Sequence, residues 1–302
     1  MKNLNKSRDY EITLHQAGDA PSKTLVVTFG GQPSDLGSEG FGTDFCLLGG
    51  YDTIYVAQRY TTQYQGLSLE EFVASVGPVV ESYTDIVCYG PSLGGYASLY
   101  YGGSIDARII VAAPMLPAWP HLKNKSYADL EVTHFPLHDV PKSSHTPVVI
   151  YDPMAGTDKA NIDTIVQAAY PTLTRVEVPF AGHPVLIALA QAKILRPLIY
   201  HFFATNEVMP FEPPAEGTPI WHRERGRYYL NRDPETAKIE LEKSMDLQAT
   251  RSVFNLLIRC NIDLGDLAAA QKRLNEACGS ADKAHQLFTP IQKLAQQAGL
   301  TV

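Results

Sequence analysis

The chain has 302 residues, a length that accommodates one large core plus a small appendage, and its 45% hydrophobic and 19% charged residues are ordinary for a globular enzyme. A net charge of -7 without a basic cluster lacks the electrostatic footprint of nucleic-acid binding, and no apolar run approaches membrane-spanning length. Four widely spaced cysteines, Cys46, Cys88, Cys260 and Cys278, without Cys-x-x-Cys spacing, exclude a zinc or disulfide framework and fit reduced thiols in the cytoplasm; the N-terminus has no apolar signal region.

Taken in chain order, Tyr10–Leu14 alternates weakly and predicts an antiparallel edge strand. From Lys23 to about Ala204 short apolar runs then alternate with helix-length segments. The runs Thr24–Phe29, Thr53–Val56, Ile86–Tyr89, Arg108–Ala112, Pro147–Tyr151 and Arg175–Val178 are continuous, as strands buried on both faces require. Helices are predicted over Thr43–Leu48, Ser68–Ser82, Leu93–Tyr101, Lys159–Ala169 and Pro184–Phe203. The pattern implies an α/β fold with a doubly wound, mostly parallel sheet. Residues 114–146, rich in Pro, His, Lys and Asp, break the rhythm as an insertion over the sheet.

The prolines of residues 207–219 read as a linker, which divides the chain into a sheet domain (1–206) and a small helical extension (220–302). In the extension Asp233–Leu241 can be laid over Asp266–Leu274 at an offset of 33 residues, with a helix over Ser252–Leu264 between them. A helix pair repeating at this period resembles the tetratricopeptide repeat over about two units. Val253, Phe254, Leu257 and Ile258 offer more apolar surface than one short helix pair buries, which points to self-association or a protein partner.

The chemistry centres on Gly90-Pro91-Ser92-Leu93-Gly94, set between an apolar strand and a helix. Such a pentapeptide reads as a nucleophile elbow, a sharp turn that exposes the serine hydroxyl while the next helix N-terminus offers backbone N–H groups to developing negative charge. Glycines are needed because the serine's strained backbone presses its neighbours together. A serine hydroxyl needs a base. Among nine histidines, His183 lies directly after a strand, with Pro184 opening the final helix.

With Gly30-Gly31 after the first strong strand and Ala181-Gly182-His183 after the last, residues 20 to 204 resemble the α/β-hydrolase superfamily. The resemblance implies the α/β-hydrolase fold, a catalytic triad in the order Ser, acid, His, and no cofactor. It makes Ser92 the nucleophile and His183 the base. The acid is Asp158, in the loop Gly156-Thr157-Asp158, or alternatively Asp152 at the end of the preceding strand; Asp158 is also placed as an N-cap. The oxyanion hole is the amide of Leu93 with that of Gly31 or Gln32, Phe29 standing where the family commonly has histidine. The insertion lies where many members carry a cap. The implied activity is hydrolysis of a carboxylic ester through an acyl-enzyme, by analogy with the superfamily's commonest chemistry.

Tyr89, Tyr96, Tyr100 and Tyr101 beside the elbow, and Gln58-Arg59-Tyr60 after a strand, suggest a polar or saccharide ester as substrate. An acyltransferase with the same triad is the near alternative; a silent hydrolase fold whose helical tail binds a protein is the other. His134 and His138 have the i, i+4 spacing of a metal pair, but Pro136 and Pro141 argue for a surface loop, so no metal is expected. Gly-x-Gly-x-x-Gly and the phosphate-loop motif are both missing, so nucleotide binding is excluded.

Overall fold

A computed structural model describes residues 1–20, 22–37, 40–212, 217–279 and 287–301. It opens with β1 (Lys2–Lys6), a strand that the sequence reading leaves out. Its lysines and asparagines have no strand-like pattern. β1 forms only because β2 (Tyr10–His15) offers a free edge, against which it pairs antiparallel with a register irregularity between Asn3 and Asn5. Lysine on an edge also discourages pairing with a further chain.

The parallel strands follow as β3 (Thr24–Phe29), β4 (Asp52–Gln58), β5 (Asp85–Pro91), β6 (Arg108–Ala112), β7 (Val148–Tyr151) and β8 (Thr174–Glu177). All eight form one sheet in the order β1-β2-β4-β3-β5-β6-β7-β8, in which β2 runs antiparallel to β4 and the strands from β4 to β8 pair in parallel. Chain progression reverses at β3. The connection from β3 goes to β4 on one side, whereas β5 returns to the other side and the chain then continues outward. Loops leaving β3 and β5 therefore diverge, opening a crevice at their carboxyl ends.

The helices of this part are α1 (Thr43–Leu48), α2 (Leu69–Val80), α3 (Leu93–Tyr101), and α4 (Gly156–Asn161), which continues through a π turn at Ile162–Val166 into α5 (Gln167–Ala169). Ser68 and Glu71 cap α2 reciprocally, each side chain accepting the other's backbone N–H. α3 is buried along its whole length, and Phe29 stacks on its Tyr101 at 5.7 Å.

The single helix expected over Pro184–Phe203 is two, α6 (Val185–Gln191) and α7 (Leu195–Thr205). Pro197 is the reason. Its ring excludes a helical residue four positions earlier, and that residue, Lys193, sits at φ 61°.

The chain divides into two compact units. The first comprises Met1–Val178, His183–Leu186 and Ile194–Phe211; the second, Pro179–Gly182, Ile187–Lys193 and Glu212–Val302. The two units interleave at residues 179–193, whereas the sequence reading places the change of domain at the linker 207–219. Phe180 packs edge-on against Trp221 and Tyr228, and Gln191 bonds to the Ile220 amide and to Gln248, which ties these short segments to the second unit. Residues 213–216 of the expected linker, and 280–286 and 302 of the extension, lie outside the described residues.

In the second unit stand α8 (Pro219–Tyr229), α9 (Pro234–Leu247), α10 (Arg251–Asp263), α11 (Leu267–Cys278) and α12 (Thr289–Gln297). Asp233 and Asp266, the residues 33 apart, both cap helices: their carboxylates accept the amides of Thr236 and Ala269. Val253, Phe254, Leu257 and Ile258 are buried in this unit's own core with Leu241 and Leu274. These four side chains therefore do not supply the exposed apolar surface from which the sequence reading argues self-association. Among the described residues no single helix is long and apolar enough to cross a membrane.

The insertion is docked more firmly than a surface loop. Gln63 Oε1 accepts the Ala118 amide, and Gln65 Oε1 accepts those of Thr133 and His134. His134 is buried, stacked on Tyr100 at 3.9 Å, with the Tyr96 hydroxyl 3.0 Å from Nδ1 and the Leu67 carbonyl 3.2 Å from Nε2. His138 is exposed and pairs with Asp139, so the two histidines do not form a metal pair, and among the described residues no group of metal ligands is assembled.

Burial lowers the His134 pKa from 6.5 to about 4. The unfolded chain then takes up a proton near pH 6.5 that the folded protein refuses. This contribution to stability is complete above pH 6.5 and is lost as pH falls towards 4, up to about 3 kcal/mol. Chemical denaturation at pH 6.5, 5 and 4 should show that loss, and His134→Phe should make the pH dependence shallower.

Candidate active site

The end of β5 and the start of α3 leave a single residue, Ser92, to make the turn. Its backbone lies at φ 51° and ψ -118°, a conformation that a residue with a side chain adopts only under strain. Crowding explains the flanking glycines. A Cβ on Gly90 would lie 2.3 Å from the Gly94 carbonyl oxygen, and one on Gly94 would lie 2.1 Å from the Phe29 carbonyl oxygen. The turn is held by the Ser92 amide, which donates to Ala112 O, and by Ser92 O, which accepts the amides of Tyr96 and Met115.

Three loops converge on this turn from the carboxyl ends of parallel strands. His183 follows β8, and its ring nitrogens face two partners. Nε2 lies 2.9 Å from Ser92 Oγ, and Nδ1 lies 2.9 and 3.0 Å from the two carboxylate oxygens of Asp158. A carboxylate only accepts, so Nδ1 carries the imidazole proton and Nε2 is left to accept from the serine hydroxyl. The Asp158 side chain is 5% exposed and that of His183 39%, which places the ring between a buried acid and an accessible hydroxyl.

Asp158 is not a loop residue or an N-cap. α4 starts earlier than the sequence suggests, at Gly156 after Ala155, so Asp158 sits within its first turn and spends its carboxylate on His183. Asp152 is elsewhere: it is buried just after β7, where its Oδ1 accepts the Met154 amide.

The third loop, after β3, runs Gly30-Gly31-Gln32. A Cβ on Gly31 would stand 3.7 Å from Ser92 Cβ and 3.1 Å from Pro91 O, so this backbone passes against the elbow where a larger residue would not fit. The amides of Gly31 and Gln32, and that of Leu93 at the start of α3, meet no acceptor among the described residues. Free amides beside a serine hydroxyl are of the kind that suit a developing oxyanion.

Most of the residues that suggested a polar substrate have structural roles here, while Tyr60 is exposed. Tyr89, Tyr96, Tyr100 and Tyr101 are all buried, packed in the core rather than lining a saccharide platform. Gln58 and Arg59 are engaged within the fold: Gln58 bonds to Ser34, Thr62 and the Tyr64 amide, and Arg59 pairs with Asp9.

Three contacts escaped the sequence reading, all from the insertion. Met115 donates to Ser92 O, His121 Nε2 lies 2.7 Å from Asn161 Oδ1, and Gln32 Nε2 donates to Tyr127 Oη. Only one signal was available: Asn161 stands three residues after Asp158, one turn along the same helix.

No protein-family model and no curated protein sequence matches the chain. Among solved structures it is similar to Est1E from Butyrivibrio proteoclasticus, at 13% identity over 67% of this chain and 96% of that one, with a TM-score of 0.46. It is also similar to the esterase EaEST from Exiguobacterium antarcticum, at 12% identity, 68% and 99% coverage and a TM-score of 0.44. A third is XC6422 from Xanthomonas campestris, described as an a/b serine hydrolase without lid, at 15% identity, 67% and 91% coverage and a TM-score of 0.41.

Proposed function

We propose that this protein is a serine hydrolase that cleaves a carboxylic ester through an acyl-enzyme. The observation that carries the reading is the continuous hydrogen-bonded line from Asp158 through His183 to Ser92 Oγ, ending on a strained, accessible turn. Ser92 Oγ attacks the ester carbonyl carbon while His183 Nε2 takes its proton. The carbonyl oxygen becomes an oxyanion facing the amides of Leu93 and of Gly31 or Gln32. As the tetrahedral adduct collapses, His183 returns the proton to the departing alkoxide, and an alcohol leaves. Water then attacks the acyl-enzyme, gives its proton to His183 and releases the carboxylic acid, and Ser92 recovers its hydrogen. Asp158 holds the ring and stabilises the imidazolium throughout.

An acyltransferase would share every step but the last, with an alcohol in place of water. The His183 side chain is 39% exposed, which is compatible with water as the acceptor. The helical unit is read as a helix-pair module resembling the tetratricopeptide repeat, on the two aspartate caps 33 residues apart; the site chemistry needs nothing from it.

The test is labelling with a fluorophosphonate probe. Wild type should label, and Ser92→Ala and His183→Ala should not, while all three remain folded by circular dichroism. A folded wild type that does not label would overturn the reading. Adding an alcohol acceptor to a p-nitrophenyl ester assay and weighing ester against acid product separates transfer from hydrolysis.

A further inference from the structure

One short stretch of the insertion touches the serine turn, the helix that carries Asp158 and the loop of Gly31 and Gln32. Residues 115–127 begin where the Met115 amide donates to Ser92 O at 3.0 Å, directly on the elbow. Trp119 then packs edge-on against Tyr96 of α3 at 5.9 Å and stacks on His121 at 5.8 Å. His121 Nε2 reaches Asn161 Oδ1 at 2.7 Å, at the end of α4, one turn beyond Asp158. The stretch ends in a short turn, Lys125–Tyr127, fixed by Asn124, whose Oδ1 accepts the Ser126 amide. From that turn Tyr127 Oη accepts from Gln32 Nε2, on the loop that carries the candidate oxyanion donors.

We propose that residues 115–127 are a strap that holds the nucleophile turn, the acid helix and the oxyanion loop in register, with His121 and Tyr127 as positioning residues. The proposal rests on the hydrolase reading for its kinetic consequences. Its physical basis is that the three segments come from three different strands and must agree to within a fraction of an ångström. Asn161 is buried beneath the exposed His121, which is its Oδ1 partner, and its Nδ2 finds no partner among the described residues. His121 is therefore the link by which the insertion senses α4. The loop of Gln32 is held on either side by Tyr64 Oη, which donates to Gly30 O, and by Gln58 Nε2, which donates to Ser34 O; Tyr127 adds the tie at Gln32 itself, between them.

The variants are Tyr127→Phe, which removes one hydroxyl, and His121→Phe, which removes the ring nitrogens but keeps a ring on Trp119. Each should lower kcat for a p-nitrophenyl ester about three- to tenfold, with KM within twofold and the melting temperature little changed. Because they act on different segments, the losses should multiply in the double variant. Hydrogen exchange should quicken in residues 29–36 for Tyr127→Phe and in residues 156–163 for His121→Phe, and not the reverse. A raised KM at constant kcat would overturn the proposal by making these residues substrate contacts. Unchanged exchange in both segments, or kcat falling only in step with stability, would overturn it as well. Failure of the hydrolase reading is distinguishable: it shows as a wild type that does not label, and the exchange measurement still decides the strap.

Discussion

Asp158→Asn should lower ester turnover by about three to four orders of magnitude with little change in KM. The asparagine has nearly the same shape, so the site should stay folded. What changes is the hydrogen-bond polarity. Asp158 accepts from His183 Nδ1 through both oxygens, whereas asparagine turns an NH₂ donor towards that nitrogen in one of its two orientations. The ring then carries its proton on Nε2, where it faces Ser92 Oγ and has nothing to accept with. The imidazolium that forms during attack also loses its carboxylate, and at a site as buried as Asp158 water replaces little of that stabilisation. Asp152→Asn is the matched comparison. An asparagine there still accepts the Met154 amide, so its turnover should stay within about threefold of wild type. Steady-state kinetics on one chromogenic ester decides it, and the larger loss at Asp152 would reverse the assignment.

Gly94→Ala should cost about 3 kcal/mol or more, enough to lower the melting temperature by several degrees or prevent soluble expression. The added methyl would be 2.1 Å from the Phe29 carbonyl oxygen and 2.7 Å from its carbon, and both belong to the backbone of β3. No rotamer change relieves this, so β3 and α3 have to separate. Gly90→Ala meets the same obstacle from Gly94 itself. The control is Gly18→Ala in the loop after β2, where nothing lies within 4 Å of the added carbon and no proline follows directly; it should stay within about 1 kcal/mol of wild type. Thermal unfolding followed by circular dichroism compares the three. If Gly94→Ala melts with Gly18→Ala, the close approach of the elbow to β3 is wrong.

Features that depend on residues near each other in sequence were legible without the fold. The turn at Ser92 is one, because its glycines, the apolar strand before it and the helix after it lie within about twenty residues. The alternation of apolar runs with helix-length segments is another. His183 was also legible, since its position after a strand and before Pro184 is local. The break between α6 and α7 was written in Pro197, but the apolar character of both flanks masked it. α4 began earlier than expected because Gly156 and Thr157 are poor helix formers that docking overrides.

The choice of acid was not local. Asp152 and Asp158 lie on the same connection, and which of them meets a ring some 25 residues further along depends on how β7, α4 and β8 pack. Burial of His134 among tyrosines from α3, and the strap's contacts with Asn161 and Gln32, join segments separated by 38, 40 and 95 residues. The sequence by itself therefore determined where the strained serine turn and the loop histidine stand, because backbone strain and strand ends are short-range. Only the tertiary structure decided which carboxylate meets the histidine ring and what holds the parts together, because those choices are made by side chains that meet only after the sheet has formed.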